Sequence, residues 1–121
     1  TWEMLRELLT EKGMLIVAVP NCSSYDAGRY GEYWAAYDVP RHLWHFTPVT
    51  IQQLASRHGF IMAARHPMPF DAFYVSMLSE KHRGSSCSFL KGMYAGTLAW
   101  FSTLGRKERS SSMIYVFRKK R

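Results

Sequence analysis

At 121 residues, with 47% hydrophobic and 15% aromatic side chains, the chain has the length and apolar content of one ordinary globular domain, residues 1–121. Sixteen basic against nine acidic residues give a formal net charge of +7, yet four of the basic ones, Arg118, Lys119, Lys120 and Arg121, crowd the last four positions. The remainder is only mildly basic, so a nucleic-acid partner is not expected.

Cys22 and Cys87 stand far apart and form neither a CxxC nor a disulfide framework, which fits a reducing, cytoplasmic setting. The opening T-W-E-M-L-R has no charged region leading into an apolar core, so no secretory signal is expected. In chain order, Trp2, Leu5, Leu8 and Leu9 recur at helical spacing, with Gly13 as the expected C-terminal cap. The run M-L-I-V-A-V from Met14 to Val19 is apolar on both faces and stops at Pro20-Asn21, the pattern of an interior parallel strand covered on both sides. Residues 21–37, with Gly28, Gly31 and four tyrosines, predict a loop holding one helical turn. Thr47 as N-cap, Pro48 in the first turn and Gly59 as terminator bound a helix carrying Ile51, Leu54, Ala55 and His58 on one face. A strand over 60–66, a helix over 72–81, a glycine-serine linker from Gly84, an apolar helix over 89–104 and a last strand over 113–117 complete the order. The apolar helix is shorter than the about 20 residues of a membrane span, so it is expected to be buried or to lie on a surface. Residues 84–112 read as a helical insertion.

Three runs, L-L-T-E-K-G-M-L-I-V-A-V-P-N, W-A-A-Y-D-V-P-R-H-L-W-H-F-T-P and I-Q-Q-L-A-S-R-H-G-F, together resemble the C-terminal half of a class I S-adenosylmethionine-dependent methyltransferase. The family pattern is a helix, a glycine turn, the fifth strand ending in Pro-Asn, a substrate-side loop of the type D-x-P-x-H-x-x-x-F-T, and a helix ending in Gly-Phe. The resemblance covers Leu8 to Phe60 in detail and the rest by order of elements. It implies an α/β fold, a partial Rossmann-like methyltransferase sheet of strands 14–19, 60–66 and 113–117, in which the fifth strand pairs with the final antiparallel strand. It also implies methyl transfer from S-adenosylmethionine to a small-molecule acceptor. The family's glycine-rich turn and the acidic residue that holds the ribose are both missing, and Gly28 and Gly31 are no substitute. A fragment without the cofactor half is therefore expected: inactive alone, with an exposed strand edge that drives self-association.

The stretch Asp38 to Pro48 admits several readings. His42 and His45 with Asp38 suggest a metal site, but Pro40 and Pro48 favour extended chain, which would send the two imidazoles to opposite faces. Either histidine has the chemistry of a general base or acceptor-orienting group, and His42 is the histidine that the resemblance aligns with the family's loop. A turn in which Asp38 and Arg41 fix the backbone while Leu43, Trp44 and Phe46 seal the sheet accounts for the same residues. A loop at the carboxyl end of a sheet strand is where open α/β sheets bind ligands, which makes Trp34, Tyr37, Asp38, Arg41 and Trp44 candidates to line an acceptor pocket. Two rival functions stand beside this one. A basic, aromatic-rich module would hold an acidic partner through the Arg118–Arg121 tail, and a peripheral membrane protein would use residues 89–104 as its contact.

Overall fold

The computed structural model describes residues 1–121 as a mixed α/β fold of five α-helices and a three-stranded antiparallel sheet. In chain order these are α1 (Trp2–Leu8), β1 (Met14–Pro20), α2 (Tyr25–Tyr30), α3 (Pro48–Arg57), β2 (Phe60–Pro67), α4 (Asp71–His82), α5 (Ser88–Gly105) and β3 (Ser112–Lys119). Short 3-10 turns at Gly31–Tyr33 and Ala35–Tyr37 follow α2. The segment expected to be mostly loop is thus largely helical, because the Ser24 side chain accepts the Ala27 amide and caps α2.

The sheet order is β1-β3-β2, with β3 antiparallel to both neighbours. β1 and β2 therefore run parallel to each other on either side of β3, and their carboxyl ends share one rim. The expectation of β1 as an interior strand covered on both faces is corrected: it is an edge strand, with Met14 and Ile16 exposed. Its alternate residues Leu15, Val17 and Val19 pack with Met113, Tyr115 and Phe117 of β3 beneath Ile51 and Ala55 of α3. The other face carries Ile16 opposite Val116, Ala18 opposite Ile114 and the exposed Ile61, and no helix covers it. A continuous apolar run fits this half-covered strand because both of its faces are apolar though only one is packed.

Thr47 and Thr50 form a reciprocal capping box at α3: Thr47 Oγ1 accepts the Thr50 amide at 3.1 Å and Thr50 Oγ1 accepts the Thr47 amide at 2.8 Å. Gly59, at φ 80°, ends the helix in the left-handed conformation expected of it. Gly13 does not cap α1, which ends at Leu8; its amide instead closes a turn onto the Thr10 carbonyl. A second core, of Ala27, Tyr30, Trp34, Ala35, Ala36, Val75 and Ala95, joins α2 and its following turns to α4 and α5. In α5, Gly92 and Gly96 let the helix touch α4 directly, since a Cβ at either would fall 2.5 Å from Met77 Cα and 2.7 Å from Phe73 Cα. No helix is long and apolar enough to cross a membrane.

Candidate functional site

The site grows from the end of β1. Asn21 is buried and uses its whole side chain: Nδ2 donates to the carbonyls of Glu108 at 2.6 Å and Ser110 at 3.0 Å, while Oδ1 accepts the Ser23 amide at 3.1 Å and its hydroxyl at 2.7 Å. Its side chain is thus spent on the turn itself. The Asn21 backbone amide donates to the carbonyl of Ser111, just before β3, and the next amide, Cys22, donates the other way to the Phe46 carbonyl at 3.0 Å. Phe46 thereby forms a parallel bridge beside Asn21 on the free edge of β1, and this contact draws residues 38–47 over the carboxyl end of the strand.

The approach to Phe46 is a turn rather than extended chain. Asp38 sits at φ 44°, ψ 44°, and its carbonyl accepts the His42 amide at 3.0 Å. The expectation that His42 and His45 face opposite ways is corrected for that reason: both line one cavity of about 110 Å³, with Pro20, Cys22, Trp34 and Trp44. His42 also lines a neighbouring cavity of about 590 Å³, together with Pro20, Asp38, Arg41, Asp71, Tyr74 and His82. His42 and Pro20 form the partition between the two spaces.

His42 Nδ1 lies 3.0 Å from the Ala36 carbonyl oxygen. A carbonyl only accepts, so Nδ1 carries the proton of the neutral ring and Nε2 keeps a free lone pair. The His45 ring meets Tyr37 edge-on at 4.9 Å, and Tyr37 meets Trp34 edge-on at 5.0 Å, an aromatic relay that fixes the small cavity's wall. Trp34 is 1% exposed and its Nε1 donates to Asp26 Oδ2 at 2.8 Å, so it serves the core and presents only part of its ring to the cavity. Trp44 is the opposite case, 79% exposed at the cavity mouth. Arg41 and Asp38 pair with each other at 2.7 Å on the surface, and each still borders the larger space.

Asp71, Tyr74 and His82 were not singled out from the sequence. Their signal lies in topology: β1 and β2 run parallel, so the helix after β2 starts on the rim where the loop after β1 folds. α4 is held there from behind. Glu80, buried at its far end, accepts from Tyr30 Oη at 2.9 Å and Ser85 Oγ at 2.5 Å. Burial pushes the Glu80 carboxyl up, but the hydrogen bonds from Ser85 and Tyr30 and the nearby Arg83 and Lys91 outweigh it and leave the group below its ordinary value of 4.5. Burial first, and then the Glu80 contact, push the Tyr30 phenol up to about 12.

No three His, Cys, Asp or Glu side chains gather as a metal site. Gly28 lies inside α2 and Gly31 directly after it, so neither sits in a turn between a strand and a helix. The arrangement can bind a small molecule on an aromatic and charged rim beside the His42 ring, whose Nε2 accepts when the ring is neutral. No family model, curated protein or solved structure matches the chain.

Proposed function

We propose that the chain is the acceptor-side part of a class I S-adenosylmethionine-dependent methyltransferase, and that the part which holds the methyl donor precedes Thr1. The observation that carries this reading is the pair of adjoining cavities at the carboxyl end of β1, partitioned by Pro20 and His42. Open α/β sheets take their ligands at that rim, and the larger cavity falls within the roughly 300–1,000 Å³ of small-molecule sites. The free edge of β1 and the uncovered apolar face give a further strand and its helices a place to add, which would complete a Rossmann-like sheet with β3 as its antiparallel strand.

In this reading the chain's residues position the acceptor. Asp38, Arg41, Asp71 and Tyr74 offer polar contacts around the larger cavity. His42 faces the acceptor with Nε2 and takes a proton from an oxygen or nitrogen nucleophile there, while the Ala36 carbonyl holds its tautomer and orientation. His45 and Trp44 line the mouth of the smaller space. The donor supplies the activated methyl group when bound to the missing part, and the 121 residues alone are inactive.

The test is tritium transfer from methyl-labelled S-adenosylmethionine into a small-molecule extract by the polypeptide that includes the reading frame before Thr1. Incorporation that drops about 100-fold in His42→Ala supports the reading. A reading frame with no strand, glycine-rich turn and acidic residue about 20 positions on would sink it.

A further inference from the structure

The outer face of α5 has no partner within the fold. Gly92, Ala95, Gly96, Ala99 and Thr103 point into the protein, while Leu90, Tyr94, Phe101 and Leu104 stand exposed on the opposite side. With Thr97 between them their spacing is four, three, four, three, so they form one continuous stripe along a helix about 27 Å long. Phe89 and Met93 widen it. A patch of this size on a protein surface marks a contact site.

What covers the stripe is decided by charge. Residues 81–107 hold five lysines and arginines, Lys81, Arg83, Lys91, Arg106 and Lys107, and no aspartate or glutamate; the preceding Glu80 is buried, with Arg83 and Lys91 near it. Lys91 flanks the stripe, and the others stand at the two ends of the helix. The next acid, Glu108, is engaged by Arg65. Arg29 of α2 adds a further cation, 5.9 Å from the centre of the Tyr94 ring.

A second copy of α5 would meet these cations with its own. An antiparallel pairing sets Arg106 and Lys107 against Arg83 and Lys91, and a parallel pairing sets each against itself. Helix seams choose partners by opposite charges beside the apolar stripe, and this helix has none to offer. An anionic bilayer surface satisfies both features at once: the stripe enters the interface, and the cations at the helix ends reach lipid phosphates.

We propose that α5 lies in the plane of an anionic membrane surface, apolar stripe inward. The surface is independent of the methyl-transfer reading, since it rests on α5 alone.

The test is co-sedimentation of the 121-residue chain with phosphatidylcholine vesicles and with mixed phosphatidylcholine–phosphatidylglycerol vesicles. The expected result is binding to the mixed vesicles that is at least about tenfold tighter than to neutral ones and weakens with salt. The double variant Leu90→Ser, Phe101→Ser should lose that binding while its circular dichroism is unchanged, because both side chains point away from the core. Quenching of Trp100 fluorescence by brominated lipid should follow the binding. No sedimentation with the mixed vesicles overturns the proposal. So does binding that survives the double variant, or cross-linking of α5 to α5 in a dimer that the double variant abolishes.

Discussion

Asp26 is fully buried in the first turn of α2, where Oδ2 accepts from Trp34 Nε1 and from Ser111 Oγ while Oδ1 has no protein partner. This carboxylate ties the helical core to the start of β3. Trp34→Phe keeps most of the ring but removes one of its two donors, and should cost about 1–3 kcal/mol in urea unfolding; a variant as stable as the parent would show the contact to be idle. Trp34 was expected in a pocket wall because an aromatic residue near Asp38 and Arg41 reads as a ligand contact. Its burial depends on an acid eight residues earlier, whose direction no local pattern reveals.

Two phenols carry a pH signature. Burial pushes Tyr30 and Tyr115 up to about 12 from their ordinary 10, so the folded state holds both protons more tightly than the unfolded chain does. The associated stability is complete below pH 10 and is lost as pH rises through 10 toward about 12. Thermal melting should fall steeply across that interval, and Tyr115→Phe should flatten part of the fall. A melting temperature indifferent to pH there would mean that neither phenol is buried as described. His42 behaves differently: its significance lies in the free Nε2, which only an assay with donor and acceptor reads.

At the level of elements, the ends of helices were more legible than the faces of strands. Thr47-Pro48 and Gly59 declare α3 because capping and left-handed glycine are local chemistry. The exposure of Ile16 depends on how many strands the sheet has, which the run M-L-I-V-A-V does not encode. The turn at Asp38 was hidden for a related reason: prolines at 40 and 48 favour extended chain, but the bridge from Phe46 to the edge of β1 pulls the segment back on itself. The α4–α5 pair rests on absent side chains. Gly92→Ala places a methyl 2.5 Å from Met77 Cα, so the helices must separate, and the variant should lose about 1–3 kcal/mol in thermal or urea unfolding despite alanine's better helix propensity. A stabilised variant would show that the helices have room to spare.

For the whole molecule, the sheet is half of a layered structure. Met14, Ile16, Ala18 and Ile61 leave one face open, and the outer edge of β1 is covered only at its carboxyl end, by Phe46. Open edges and apolar faces recruit strands, so the isolated chain should self-associate at micromolar concentration by light scattering, and Ile16→Lys should return it to monomer. A parent that stays monomeric throughout that range would show the face to be tolerated in water. The same openness is what joins the candidate site to the proposed function, because a sheet continued past β1 would bring a donor to the rim where His42 stands.

The most direct measurement is titration calorimetry with S-adenosylmethionine on two polypeptides, the 121 residues alone and the product of the longer reading frame that includes them. Saturable heat is expected from the longer polypeptide and none from the shorter one. Saturable binding to the 121 residues alone, or none to the longer polypeptide, would contradict it.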